Sequence, residues 1–237
     1  MNKDGSDASR PRSAKATRTG AAAKPGAVGQ PGVATGPDAP AGRHAVAGRR
    51  MPSPKKCRAL LEQYGLPAGI IDHSELVTEI AGFLAQNVAE HGSAIDVPRT
   101  VAGAFLHDIG KTPKAETDSR LQGLNHAEAS ARIVVWEGYP DLAPVVLRHM
   151  AGDVLDPSTA PVTLEEKIVH YADKVATRTF ISLDDRFSDL CRRYPKYCPI
   201  FEQALPLVKK MEEEVLAAAG LSFQQLRQRF GYASRST

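Results

Sequence analysis

The chain has 237 residues, of which 42% are hydrophobic and 24% are charged, as expected for a soluble globular protein with one sizeable core. No apolar run approaches the roughly 18 residues of a membrane span, and the N-terminus lacks the apolar segment of a signal peptide, so we expect no membrane association. The three cysteines form no Cys-x-x-Cys pair, which argues against a disulfide framework or a cysteine zinc site and indicates a reducing cytoplasm.

The net charge of +3 is unevenly distributed along the chain. Residues 1–50 hold nine Lys or Arg and three Asp, whereas residues 51–237 hold 21 basic and 24 acidic residues. The folded part is therefore mildly acidic, which argues against a broad nucleic-acid-binding face on it. Residues 1–51 contain no aromatic residue, Leu or Ile and are predicted to be a disordered basic tail, for which a contact with nucleic acid is a minor alternative.

The ordered domain is expected over residues 52–232 as one compact all-α unit, because no segment alternates apolar and polar residues as a strand does. Ser53 and Pro54 are a favourable N-cap and first residue, and they predict a short helix that ends at Gly65. Apolar residues at helical spacing predict two further helices, over about 67–90 and 97–109.

The second half of the chain continues the helical pattern after a break. Residues 112–125 are polar, which predicts a loop. Asn125 can cap the next helix, and Thr163 can form a capping box with Glu166 at the start of a later one. The remaining helices are expected over about 141–150, 163–175, 183–193, 197–219 and 222–230.

Side chains that bind metals recur once on each of five successive predicted helices, in most cases near a helix end. They are His73, the neighbouring His107 and Asp108, His126, His149 and Asp173. Asp173 is flanked by apolar residues, and a buried carboxylate costs several kcal/mol unless it is paired or bound to a cation. The remaining histidines of the domain, His91 and His170, are interpreted as structural.

This ordered set resembles the HD superfamily of metal-dependent phosphohydrolases, which is named for its His-Asp doublet. The string Leu-His-Asp-Ile-Gly-Lys at 106–111 is a recognisable form of that motif, and the resemblance covers about residues 70–180. The residues that match the four core metal ligands of the family are His73, His107, Asp108 and Asp173. His126 and His149 match the two additional histidines of the branch that binds two metals.

The resemblance implies a dinuclear centre in which Asp108 bridges two divalent cations and takes the central catalytic role. A set of imidazoles and carboxylates without a thiolate suits Mn, Fe, Ni, Co, Zn or Mg. Two such cations activate a shared water and stabilise the phosphoryl oxygens during attack. Lys111, just after the doublet, is a candidate catalytic and substrate-binding residue. Further candidates for phosphate binding are Arg120, Arg148 and Arg178.

Gly138-Tyr139-Pro140 spells the signature of the cyclic-dinucleotide phosphodiesterase branch of the family. In that branch the tripeptide follows two adjacent histidines, whereas here it precedes the single His149. We therefore interpret it as a helix stop, and hydrolysis of cyclic-di-GMP is disfavoured.

The sequence thus predicts a cytoplasmic, all-α phosphohydrolase that acts on a phosphate ester or anhydride, of a nucleotide or dinucleoside polyphosphate. The expected partner is this small phosphorylated substrate. One alternative is a di-iron oxygenase built on the same ligands. Another is a regulatory protein that binds metal without catalysis.

Overall fold

The structure, a computed structural model, describes residues 51–231. Residues 1–50, which are all but the last residue of the predicted tail, and the last six residues lie outside this part of the chain. Nine α-helices are present between Met51 and Gly231: Pro54–Gln63 (α1), Ala68–Glu90 (α2), Val97–Leu106 (α3), His126–Trp136 (α4), Ala143–Leu147 (α5), Leu164–Val175 (α6), Leu183–Arg193 (α7), Cys198–Ala219 (α8) and Phe223–Phe230 (α9). The described residues form no β-strand, so the predicted all-α class is confirmed.

Local capping explains where several helices begin. Ser53 accepts a hydrogen bond from the backbone N–H of Lys56 at the start of α1. The predicted capping box of Thr163 and Glu166 is present at α6, and the predicted cap Asn125 forms a capping box with Glu128 at α4. Caps of this kind typically contribute about 0.5–2 kcal/mol each.

Two helices are shorter than the sequence predicts. Helix α3 ends at Leu106, and a separate 3₁₀ turn follows over Ile109–Lys111. Helix α5 begins only at Ala143, because the preceding residues Pro140–Leu142 also form a 3₁₀ turn. Gly138 has a φ of 89°, which is compatible with its predicted role as the stop of α4.

The long helix α2 lies at the centre of the fold and contacts α3, α6 and α8. Its apolar residues join a large buried cluster in which Leu84, Tyr171 and Phe180 are fully buried. A second cluster links α1, α3 and α4 through Leu60, Leu106 and other buried side chains. Each fully buried aliphatic side chain stabilises the fold by roughly 1.5–3 kcal/mol. None of the helices within residues 51–231 is both long and apolar enough to cross a membrane.

The cysteines correct one sequence-based expectation. Cys191 and Cys198 form a disulfide between the end of α7 and the start of α8, and Cys57 is free and buried. A 3₁₀ turn over Pro195–Tyr197 reverses the chain between the two helices, which brings the two Cα atoms to 4.5 Å. The expectation of no disulfide was wrong because the cysteine spacing does not show this reversal.

Candidate metal centre

The six predicted ligand side chains come together in one cluster. His73 projects from the second turn of α2, and His107 and Asp108 follow directly after the end of α3. His126 is the first residue of α4, His149 lies two residues beyond α5, and Asp173 lies in the last turn of α6. All of them except His73 and His126 are buried.

The two carboxylate oxygens of Asp108 face different histidines. Its Oδ2 atom lies 3.8 Å from Nε2 of His73 and 3.4 Å from Nε2 of His107. Its Oδ1 atom lies 3.6 Å from Nε2 of His126 and 3.5 Å from Nε2 of His149. Asp108 thus divides the histidines into two pairs and touches both.

Asp173 completes the first group. Its Oδ1 atom lies 3.1 Å from Nε2 of His73 and 3.6 Å from Nε2 of His107. In the second group, the Nε2 atoms of His126 and His149 lie 3.1 Å apart. Ligand atoms bound at about 2.1 Å around one cation are separated by roughly 3.0–3.4 Å, so each group has close to the spacing of a coordination site.

Backbone carbonyls orient two of the imidazoles. Nδ1 of His107 donates to the carbonyl of Ala104 at 2.7 Å, and Nδ1 of His149 donates to the carbonyl of Val146 at 2.6 Å. These bonds fix the tautomer in which the Nε2 atom of a neutral ring carries a lone pair. In both rings that lone pair points toward Asp108.

Two buried atoms of the cluster have no hydrogen-bond partner: Nε2 of His107 and Oδ1 of Asp108. Buried polar atoms are nearly always satisfied in folded proteins, and leaving one unsatisfied costs about 1–3 kcal/mol. A divalent cation would accept both electron pairs. The six residues therefore fit a nitrogen- and oxygen-ligated metal pair, with Asp108 between the two positions.

The electrostatics of the cluster favour charged carboxylates. Burial alone would raise the pKa of Asp108, but His107, His149 and Lys111 hold it well below its usual range. Burial likewise opposes the charge on Asp173, but the ammonium of Lys174, together with His107 and His73, overcomes this effect and lowers the pKa of Asp173.

The histidines divide by their electrostatic surroundings. Burial lowers the pKa of His126 to about 3 and also lowers that of His149, so both rings are neutral at pH 7. Burial also acts to lower the pKa of His107, but the neighbouring carboxylates of Asp108 and Asp173 outweigh this effect and raise the pKa to about 9. A cation that binds to His107 must therefore displace a proton at neutral pH.

Gly110 allows the doublet to approach α4 closely. Its N–H donates to Oγ of Ser130 at 2.8 Å, and that hydroxyl donates to the carbonyl of His126 at 2.8 Å. A Cβ atom on Gly110 would lie 2.1 Å from the same carbonyl oxygen. The glycine is needed here for close contact rather than for ending a helix, since its φ is not positive.

The four basic candidates are placed differently. Nζ of Lys111 lies 2.6 Å from Oδ2 of Asp108, and both Lys111 and Arg178 line the cavity that opens onto the cluster. Arg148 donates to the carbonyl of Ala160 at 2.9 Å and lies 3.3 Å from Glu166. Arg120 also lies away from the cavity lining. It pairs with Asp118 and sits over the ring of Trp136.

The two histidines interpreted as structural stay outside the ligand cluster. His170 is fully buried, and its Nδ1 donates to the carbonyl of Arg148 at 3.0 Å. His91 is exposed, and its Nδ1 donates to the carbonyl of Asn87 at 2.9 Å.

Sequence reasoning missed Lys174, which is only 3% exposed. Its ammonium donates to Oδ2 of Asp173 and, at 2.5 Å, to the carbonyl of His149. It thus connects the two ligand groups. Its position beside Asp173 in an otherwise apolar helix face was the available signal.

The cavity at the cluster has a volume of about 1330 Å³. Its lining includes the ligands His73, Asp108, His126, His149 and Asp173. It also extends over residues 177–201, most of which lie beyond the region that carried the sequence motif.

The ligand cluster lies in a segment of the chain that matches a known protein family. The family model of the HD domain matches residues 70–178, a segment that contains all six ligands. An uncharacterized protein of Methanocaldococcus jannaschii is 30% identical over 150 residues, which make up 58% of this chain and 85% of the relative. No solved structure matches the chain.

Two other relatives are named tRNA (cytidine(56)-2'-O)-methyltransferase. The protein of Thermoplasma volcanium is 32% identical over 136 residues, covering 53% of this chain and 37% of the relative. The protein of Picrophilus torridus is 27% identical over 182 residues, covering 72% of this chain and 48% of the relative. The chain thus spans less than half the length of either methyltransferase.

Proposed function

Because the chain belongs to the HD domain family, which implies a metal-dependent hydrolase, we propose that it is a phosphohydrolase with two divalent cations. The substrate would be a phosphate ester or anhydride, namely a nucleotide or a dinucleoside polyphosphate. One observation carries this proposal: the two oxygens of Asp108 face two separate pairs of histidines.

In this proposal His73, His107, Asp108 and Asp173 would hold one cation, and Asp108, His126 and His149 would hold the other. The candidate ions are Mn, Fe, Ni, Co, Zn and Mg. When bound, such a pair lowers the pKa of a shared water and stabilises the oxygens of a phosphoryl group in line for attack.

The residues around the cations would supply charge and rigidity. The ammonium of Lys111, which is 38% exposed at its side chain, can turn from Asp108 to a phosphate oxygen when a cation occupies the Asp108 side. Lys174 keeps Asp173 aimed at the cluster through its buried ion pair. Carbonyl bonds to His107 and His149 hold the rings before substrate arrives, so little reorganisation is required during the reaction.

Two alternatives remain as competing proposals. A di-iron oxygenase could use the same ligands, and activity with the redox-inert ions Mg or Zn would exclude it. A regulatory protein would bind metal without turnover. The methyltransferase names are not transferred to this chain, because it spans 37% and 48% of those relatives.

The test is metal analysis and hydrolysis of p-nitrophenyl phosphate, with Mn, Fe, Mg and Ni supplied in turn. The wild-type protein should bind two cations per chain and release p-nitrophenol. Asp108→Ala should lose both cations and at least about 1000-fold in activity, while its helical circular dichroism is retained. The matched control is Asp141→Asn at an exposed aspartate outside the cavity, which should behave as wild type. Full activity of Asp108→Ala would refute the proposal.

We also propose a cytoplasmic location, where the Cys191–Cys198 disulfide would be an exception to the usual reduced state of thiols, and a role of the tail outside catalysis. Deleting residues 1–50 should leave the hydrolysis of a small substrate unchanged. A large drop in activity would instead show that the tail helps to build the site.

A further inference from the structure

We infer that the part of the cavity lined by residues 177–201 binds the remainder of a nucleotide with two or more phosphates. Arg178 and Arg186 would hold a second phosphate, and Tyr194 and Tyr197 would stack on the base. This inference rests on the proposed function, since it places the first phosphate at the metal centre.

The size of the cavity leaves room for such a ligand. Its volume of about 1330 Å³ exceeds the roughly 300–1000 Å³ of typical small-molecule sites. The same cavity is lined by metal ligands and by residues of α7 and the start of α8. A single phosphate with a small leaving group would fill only the end of this cavity that contains the ligands.

The charges on the wall indicate where a second phosphate binds. Four arginines line the cavity: Arg178, Arg186, Arg192 and Arg193. The last two share one ion-pair partner, Asp189, whose Oδ2 atom lies 2.8 Å from Nε of Arg193.

Arg178 and Arg186 make no ion pair with any described residue. Nε of Arg186 is in addition buried without a hydrogen-bond partner, a state that costs free energy unless a ligand satisfies it. A guanidinium binds phosphate through two parallel hydrogen bonds, so these two side chains offer an anion site separate from the metals.

The aromatic residues indicate where a base binds. Tyr194 and Tyr197 are 49% and 48% exposed, and both line the cavity. The guanidinium of Arg193 lies 5.5 Å from the ring centre of Tyr194, and Nζ of Lys196 lies 5.6 Å from that of Tyr197. Exposed aromatic rings with adjacent cations are the usual platform for stacking a nucleobase.

The disulfide limits the motion of this platform. Cys191 and Cys198 enclose the six residues that carry both tyrosines. The ring formed by the bond restricts the backbone of this segment even without ligand. A platform that is already ordered loses less entropy when it binds the base.

Three ligands separate the contribution of the base to binding from that of the additional phosphates. AMP has a base and one phosphate, ATP has a base and three phosphates, and tripolyphosphate has three phosphates and no base. Their inhibition constants can be measured against hydrolysis of p-nitrophenyl phosphate by the metal-loaded protein, and their dissociation constants by calorimetry. For the double variant Arg178→Gln/Arg186→Gln we expect binding of ATP and tripolyphosphate to weaken about 10-fold or more, with AMP nearly unchanged.

For Tyr194→Ala/Tyr197→Ala the expected pattern is the reverse. Binding of ATP and AMP should weaken about 10-fold, and tripolyphosphate should be unaffected. Both variants should still bind two cations per chain, since none of the four residues belongs to the ligand cluster around Asp108.

The control Arg58→Gln removes an exposed arginine of α1 that does not line the cavity, and it should alter none of the constants. The inference is overturned if the arginine variant affects AMP as strongly as ATP, or if it matches the control. Calorimetry decides this even if the protein hydrolyses no p-nitrophenyl phosphate, an outcome that would count against the proposed function alone.

Discussion

The Nε2 atoms of His126 and His149 lie 3.1 Å apart, although the residues belong to different helical segments. His149 uses its Nδ1 proton for the carbonyl of Val146, so its Nε2 atom holds a lone pair in the neutral ring. Burial lowers the pKa of His126 to about 3, so this ring is also neutral at pH 7. The pair is therefore well suited to donate two lone pairs to one cation.

Removal of one of these rings should remove one cation. In His126→Ala we expect the metal content to fall from two ions per chain to one, because the other group of ligands is intact. Elemental analysis after dialysis against buffer measures this ratio. The exposed His91 offers the matched control, and His91→Ala should keep both ions. Two ions bound by His126→Ala would place His126 outside the coordination sphere.

The contact between the doublet and α4 predicts a large effect at Gly110. In Gly110→Ala the new Cβ would lie 2.1 Å from the carbonyl oxygen of His126 and 2.6 Å from the backbone nitrogen of Ser130. Backbone atoms cannot move aside as a flexible side chain can, so we expect a loss of at least about 3 kcal/mol in the free energy of unfolding.

Urea denaturation measures this loss. Gly69 in α2 is the matched control, since a methyl group added there would have no other atom within 4 Å. Gly69→Ala should be neutral or stabilise the protein by about 0.4–1 kcal/mol. Equal stability of the two variants would contradict the close approach at Gly110.

The parts of the fold that depend on nearby residues were predictable from the sequence. Asn125 and Thr163 identified helix starts because a cap needs only the following turn. The order of the ligands identified the residues of the candidate site, and the structure brings these residues together. The contact at Gly110 and the cavity wall were not predictable, because each depends on how segments distant in the chain pack together. The disulfide was missed for a local reason, since the cysteine spacing does not show that the chain reverses between Cys191 and Cys198.

The buried imidazole of His170 predicts a pH dependence of stability in the metal-free protein. Burial lowers its pKa to about 3, below the value of about 6.5 in the unfolded chain. The neutral ring thus favours folding fully above pH 6.5, and this contribution is lost as the pH falls toward 3. The loss is about 1.4 kcal/mol per pH unit.

His170→Gln should remove this proton linkage while it keeps a side-chain donor. The free energy of unfolding should decrease between pH 7 and pH 5 in both proteins. In the variant we expect this decrease to be about 2 kcal/mol smaller than in the wild type. Urea denaturation in the presence of a chelator at both pH values gives the difference. The control His91→Gln, at an exposed position, should show the same pH dependence of the free energy of unfolding as the wild type. The same pH dependence in His170→Gln would show that His170 does not cause it.

The disulfide predicts how the thiols react and what the bond contributes to stability. In unfolded, unreduced protein only Cys57 should react with iodoacetamide, whereas all three cysteines should react after reduction. A bond that closes so short a loop stabilises the fold by about 2 kcal/mol. We therefore expect Cys191→Ser/Cys198→Ser to lower the Tm by about 4–8 °C in scanning calorimetry. Addition of a reductant to the wild type should reproduce this shift, because both treatments free the same segment. Labelling of three cysteines before reduction would show that the bond is absent in solution.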